Sequence, residues 1–351
     1  MKTHFVTNFP ESELLRIRAQ MWDMFSSMES HWCGTVRVGD MHIGIDCRIQ
    51  NIAEKMSEFF VHNMPGANID TSDIQMHLFT GNPRNIFAIP DKCECVQIFS
   101  TADINSTPDI IVTPTYACIV RENKMLFMAA PEQNNPLVTL VMGENHLLMR
   151  QIRHMLYHPS HFFMHGAVVG LDDYGVMISG LSGAGKSTLA AWCAHLGMDF
   201  VGDDRVVISM QNGQPIANPV YTTVSTSEQI AGFPARVVAT NIDRAKDIFV
   251  FNPEFKFRHD IPIRAIIEPI RGNYDTPRIV TAPRAGIMAK IVMDYSNMGC
   301  LINSPNPIND WHDISKLFQG VEFYHLHLGR SIADNANAIC EFIKQKGKKC
   351  I

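Results

Sequence analysis

Residues Met177 to Ile208 read MISGLSGAGKSTLAAWCAHLGMDFVGDDRVVI, and the fold turns on how this stretch is parsed. Val176 to Ser179 is apolar and β-prone, so it predicts a strand. Gly180-Leu181-Ser182-Gly183-Ala184-Gly185-Lys186-Ser187 then fits G-x-x-x-x-G-K-[ST]. Glycines allow backbone conformations that a Cβ forbids. Successive N–H groups can then converge as an anion nest, and a following helix adds its positive end. Lys186 is placed to reach the β and γ phosphates, and the Ser187 hydroxyl to ligate Mg²⁺. The expected nucleotide contacts are therefore Gly180, Leu181, Ser182, Gly183, Ala184, Gly185, Lys186, Ser187 and the adjoining Thr188, with ATP and Mg²⁺ as cofactors.

Working outward, a helix is predicted from Ser187, with Thr188, Leu189, Ala191, Trp192 and Leu196 in its pattern and Gly197 as its stop. Met198 to Gly202 predicts a short buried strand. Asp203 and Asp204 stand at its end, seventeen and eighteen residues after Lys186. A carboxylate at such a strand end works on the metal side of a phosphoryl-transfer site. Side chains alternate along a strand, so the second carboxylate is expected to point elsewhere. One acid can serve Mg²⁺, and the other can take a proton from an incoming hydroxyl. The alternative on chemistry alone is a solvated Asp-Asp turn paired with Arg205.

Upstream, Phe162 to Val169 predicts a strand and Asp172-Asp173-Tyr174-Gly175 a turn. The front of the chain mixes both element types. Glu11 to about Trp32 and Asn51 to Met64 have helical spacing. Thr35 to Ile49 alternates around a Gly39-Asp40 hairpin turn. Cys95–Phe99, Asp109–Thr113, Tyr116–Arg121, Lys124–Ala129 and Leu137–Met142 are candidate strands, and Glu144 to Tyr157 a candidate helix. A boundary near Gly143 divides a mixed α+β N-terminal domain, 1–143, from an α/β C-terminal domain, 144–351. Near the end, Val321 to Leu328 predicts a strand and Ile332 to Ile343 a helix.

The 351 residues carry a formal net charge of −5 and no basic block, which argues against nucleic acid as a partner. No apolar run approaches membrane-spanning length, and the opening MKTHFVTNFPESELL lacks a signal-peptide core, so a cytoplasmic protein without a membrane partner is expected. Nine scattered cysteines read as reduced thiols.

The order strand–His165-Gly166–strand–Gly180-to-Ser187 loop–helix–Gly–strand–Asp203-Asp204-Arg205-Val206 resembles the kinase domain of HPr kinase/phosphorylase, and more closely the bacterial HPr-kinase-related proteins. A related active site occurs in phosphoenolpyruvate carboxykinases. The resemblance covers roughly His165 to Val207 and implies a P-loop-containing, HPr-kinase/carboxykinase-like C-terminal domain. It implies ATP- and Mg²⁺-dependent transfer to a serine or threonine hydroxyl of a protein or peptide, by a homo-oligomer. Asp204 would be the general base, His165 its assistant and Lys186 the phosphate ligand. Ser187 and Asp203 would hold the metal, with Glu228 as a further metal carboxylate.

Departures are visible. Thr188 stands where bifunctional members carry an acid. The Glu-Ile-Arg-Gly segment expected some forty residues on is replaced by Ser227-Glu228-Gln229-Ile230-Ala231-Gly232, while Glu268-Pro269-Ile270-Arg271-Gly272 lies too far along. These differences argue against phosphorolysis. A basic residue should steady the transferring group, and Arg236, Arg258, Arg264, Arg271, Arg278 and Arg284 are candidates. A small-molecule kinase or carboxykinase-like enzyme, or a nucleotide-binding regulator with little transfer activity, remains open on the same residues.

Overall fold

The structure is a computed structural model that describes residues 4–60, 63–87, 89, 95–99, 110–121, 123–130, 161–220, 222–226, 235–241, 246–251, 256–297 and 307–348. The chain divides into two compact units, Met1–Tyr157 and His158–Ile351. No helix among the described residues is long and apolar enough to cross a membrane.

Unit 1 is built on strands β1 (His4–Asn8), β2 (Trp32–Val38), β3 (Met41–Cys47), β4 (Asn63–Pro65), β5 (Ile74–Thr80), β6 (Cys95–Phe99), β7 (Ile110–Val112), β8 (Tyr116–Arg121) and β9 (Lys124–Ala129), with helices α1 (Glu11–Ser26) and α2 (Gln50–Phe59). Among the described residues these strands form one mixed sheet ordered β1-β6-β7-β8-β9-β5-β3-β2-β4. The β2–β3 hairpin turns at Gly39, whose φ of 66° suits glycine. Leu14, Ile17, Met21 and Phe25 share one face of α1 and pack on Phe79, Ile98, Ile110 and Leu126 of the sheet. Helix α1 ends at Ser26, short of the predicted Trp32, because Trp32 opens β2 and pairs with Cys47. Likewise α2 stops at Phe59, and Asn63 pairs with Val36. The candidate strand Leu137–Met142 and candidate helix Glu144–Tyr157 lie outside the described residues.

Unit 2 opens with β10 (His161–Met164), β11 (Ala167–Leu171) and β12 (Tyr174–Ile178), followed by α3 (Lys186–His195), β13 (Asp199–Gly202), β14 (Val206–Gln211) and β15 (Gln214–Pro219). Then come β16 (Thr223–Thr226), β17 (Ala235–Asn241), β18 (Lys246–Phe251), β19 (Ile261–Ile270), β20 (Arg278–Thr281), α4 (Arg284–Asn297), α5 (Pro307–Leu317), β21 (Glu322–His327) and α6 (Ile332–Gly347). The main sheet runs β10-β14-β15-β19-β12-β11-β13, with β21 beside β19 and β20 beside β21; β16-β18-β17 form a separate small sheet.

Alternation along the central strands sends neighbours to opposite faces. Val176 and Ile178 of β12 join Leu189 and Ile339 on the side of α3 and α6, whereas Met177 joins Ile287, Ile291 and Ile314 on the side of α4 and α5. Both faces are thus covered, which is why β12 and the 265–267 centre of β19 are apolar without alternation. The expected single strand Phe162–Val169 is instead two strands broken at His165-Gly166. Strand β10 pairs with β14, whereas β11 pairs with β12 and β13. A Cβ at Gly166 would lie 2.9 Å from Met177 Cε and 3.0 Å from the Ile178 carbonyl, so the crossing requires glycine.

Candidate active site

Strand β12 delivers the chain into the phosphate loop, and the Ser179 amide donates to the Ile267 carbonyl of β19 at 3.0 Å. Within the loop Gly183 and Gly185 adopt φ of 81° and 93°. Nothing lies near a Cβ built on either, so backbone conformation rather than space demands glycine there. The Leu189 amide donates to Gly185 O at 2.9 Å as α3 begins, and α3 includes Lys186 as its first residue. Lys186 is buried and folds back, its Nζ donating to Gly180 O at 2.7 Å and Leu181 O at 3.1 Å. Thr188 Oγ1 lies 3.2 Å from Thr226 Oγ1 on β16.

The two aspartates leave the sheet differently from a simple pleat. They follow β13, which ends at Gly202 as expected. The Arg205 amide donates to Asp203 O at 2.7 Å, closing a three-residue turn whose central residue, Asp204, has φ of 62°. Such a turn is rare and strained. It is this turn, not strand alternation, that aims the two carboxylates apart.

Asp203 is 1% exposed. Its Oδ2 accepts the Ser225 amide at 3.2 Å. Burial, reinforced by the neighbouring Asp204 charge, pushes its pKa up to about 6, although the nearby Ser187 hydroxyl and the Ser225 amide pull the other way. Its Oδ1 is buried and meets no hydrogen-bond donor among the described residues. A buried carboxylate oxygen left over beside a loop serine fits a cation. Among the described residues no three His, Cys, Asp or Glu side chains converge as metal ligands. Ser187 and Asp203 are the neighbouring oxygen donors here that could contribute to holding a divalent cation. Glu228 lies outside the described residues.

Asp204 faces His165. The β10–β14 register pairs Met164 with Val206, which sets the residue after Met164 beside the residues before Val206. His165 Nε2 is 3.4 Å from Asp204 Oδ1, and its Nδ1 is 3.4 Å from Asp294 Oδ2 of α4. Arg205 Nη1 reaches Asp204 O at 2.9 Å and Oδ1 at 3.2 Å. Burial alone would lower the His165 pKa, but the two flanking carboxylates outweigh it and the net shift is upward.

The sequence did not single out Asp294. Its signal was two charges four residues apart, Lys290 and Asp294, in a helix whose Ile287, Met288, Ile291, Val292 and Tyr295 are core. Of the candidate arginines, Arg271 reaches the loop, its Nη2 donating to Gly183 O at 2.6 Å. Arg258 pairs instead with Asp173 and Asp199, Arg264 with the Asp173 carbonyl, and Arg284 with Ser315; Arg278 is exposed on β20. The Arg236 side chain lies outside the described residues. Glu268, set aside as too far along the chain, lies against the loop: a Cβ on Gly180 would sit 3.6 Å from its Cγ.

A glycine-rich loop, a buried carboxylate oxygen without a donor and a histidine between two aspartates thus stand together in unit 2. No protein-family model matches the chain. It is similar to the HPr kinase/phosphorylases of two strains of Treponema pallidum, Nichols among them, each 33% identical over 116 residues, or 32% of this chain and 36% of the relative. The chain thus spans about a third of the length of the curated relatives it matches. The solved Hpr(Ser) kinase/phosphatase of Coxiella burnetii matches with a TM-score of 0.30 and 14% identity, over 53% of this chain and 98% of that one.

Proposed function

We propose that this chain transfers the γ-phosphoryl group of ATP to a serine or threonine hydroxyl of a protein or peptide. The observation that carries the reading is the Asp204–His165–Asp294 chain beside a phosphate loop whose Ser187 neighbours an orphaned Asp203 oxygen. The T. pallidum relatives, named as HPr kinase/phosphorylases, support a protein as acceptor.

Loop amides and Lys186 bind the triphosphate; on entry Lys186 leaves its loop carbonyls for phosphate oxygens. Mg²⁺, when bound, neutralises charge on the phosphates and orients them. Asp204 takes the acceptor hydroxyl proton as the hydroxyl oxygen bonds to the γ phosphorus. The bond from that phosphorus to the β–γ bridging oxygen breaks, and ADP departs with its electron pair. His165, braced by Asp294, fixes the Asp204 carboxylate in line with the incoming oxygen. Unit 1 recognises the acceptor or an effector, and the protein works in the cytoplasm as a homo-oligomer. Thr188, in contact with Thr226, leaves no acid at that position, which argues against the reverse phosphorolysis.

Purified chain with γ-labelled ATP tests this. Wild type should label a polypeptide in a lysate. Asp204→Asn should lose at least about 10²-fold in rate while still binding ATP, and Lys186→Ala should lose binding. Unchanged transfer in Asp204→Asn would overturn the base assignment. ATP turnover that rises with a metabolite and labels no polypeptide would overturn the protein acceptor. Binding with no product would leave a regulator.

A further inference from the structure

Helix α4 carries Lys290 one turn before Asp294. Side chains four residues apart lie on one helix face. Asp294 Oδ2 lies 3.4 Å from His165 Nδ1, and Lys290 Nζ pairs with Glu268 Oε1. Glu268 sits near the end of β19, with 5% of its side chain exposed, against the first glycine of the loop. Its other oxygen lies 3.4 Å from His325 Nε2. One stripe of α4 therefore holds an anion beside the histidine that faces Asp204 and a cation beside the phosphate loop.

The pair is lopsided. The acid is buried, but the lysine side chain keeps 40% exposure. A lysine present only to neutralise a buried carboxylate has no need of an open side. An ammonium has three donors, and Glu268 takes one. Lysine is also a compact charge on a flexible stem, suited to shift between partners. Lys186 is already the loop's own phosphate ligand, and the two nearby arginines are engaged, Arg205 with Asp204 and Arg271 with Gly183 O.

We infer that Lys290 contacts the γ-phosphate of bound ATP, with Glu268 holding the ammonium beside the loop before the nucleotide arrives. This rests on the nucleotide site proposed above and adds the residue that tells a triphosphate from a diphosphate. Lys290 then offsets charge on the phosphoryl group as it moves toward the oxygen that Asp204 deprotonates.

The test is ATP and ADP affinity of the full-length chain with Mg²⁺, by titration calorimetry. Loss of one charge-assisted contact predicts about tenfold weaker ATP binding in Lys290→Ala, with ADP changed by less than about twofold. Lys290→Arg should recover most of the ATP preference. Lys290→Gln keeps a stem and a donor for Glu268, so it reads out the charge even if the alanine variant fails to fold. An unchanged ATP-to-ADP ratio in Lys290→Gln, or equal loss of both nucleotides, would overturn the assignment. A wild type that binds no ATP would overturn both this and the kinase reading. Lysine-dependent ATP preference without labelling of any polypeptide would sink only the kinase reading.

Discussion

At the scale of single residues, His165 is held between two acids, and one of them, Asp294, comes from a helix far along the chain. Its paired, protonated form is favoured in the folded state, so its pKa lies above the unfolded value. That stabilisation is complete below the unfolded histidine pKa of about 6.5 and disappears as pH rises through the folded value. Asp294→Asn should lower the His165 pKa, read by NMR, and slow transfer by roughly 10- to 100-fold with ATP affinity unchanged. A drop in affinity instead would assign Asp294 to the fold alone. The loop residues and Asp203-Asp204 were legible because their chemistry is encoded in contiguous sequence. Asp294, Lys290 and Glu268 were not, because strand pairing and helix packing bring them in from up to 129 positions away from His165.

Elements tell a second story in unit 1. His77 on β5 is 4% exposed, and neither ring nitrogen has a hydrogen-bond partner among the described residues. It packs edge-on against Trp22 and Phe25 of α1, with centroids 4.8 and 5.0 Å away. Burial lowers its pKa to about 4. The unfolded chain therefore binds the proton more readily, and stability falls as pH drops from about 6.5 toward 4, by up to about 3 kcal/mol. His77→Phe should flatten that slope in denaturant titrations followed by tryptophan fluorescence. An identical slope in the variant would assign the acid sensitivity to other groups. The periodicity of α1 was readable because its buried stripe is regular. Strand β5, with burial on both faces, offers no alternation to read. The His165-Gly166 break was hidden for a related reason: apolar residues flank it on both sides, and only the change of pairing partner divides the strands.

For the whole molecule, unit 2 places its ligand-binding candidates where β12, α3, β13 and α4 meet. Anything that binds only the folded state adds stability by mass action, about 2.7 kcal/mol at a hundred times Kd. ATP with Mg²⁺ should therefore slow amide exchange across residues 180–195 and 199–206, and exchange unaffected by ATP in both segments would leave the loop without its ligand. Core clusters on the two faces of the sheet were foreshadowed by the apolar runs. The sheet order was not, because β19 enters beside β12 from some ninety residues downstream.

The tight bend that carries Asp204 has a practical corollary. Left-handed backbone costs a side-chain-bearing residue about 1–2 kcal/mol that glycine avoids. Anyone breeding a hardier version of this molecule by heat challenge would be drawn to glycine at 204, and would thereby discard the carboxylate proposed above as the proton acceptor. Under that proposal robustness and reactivity compete at one alpha carbon, so position 204 should be held fixed while the rest of the chain is tuned.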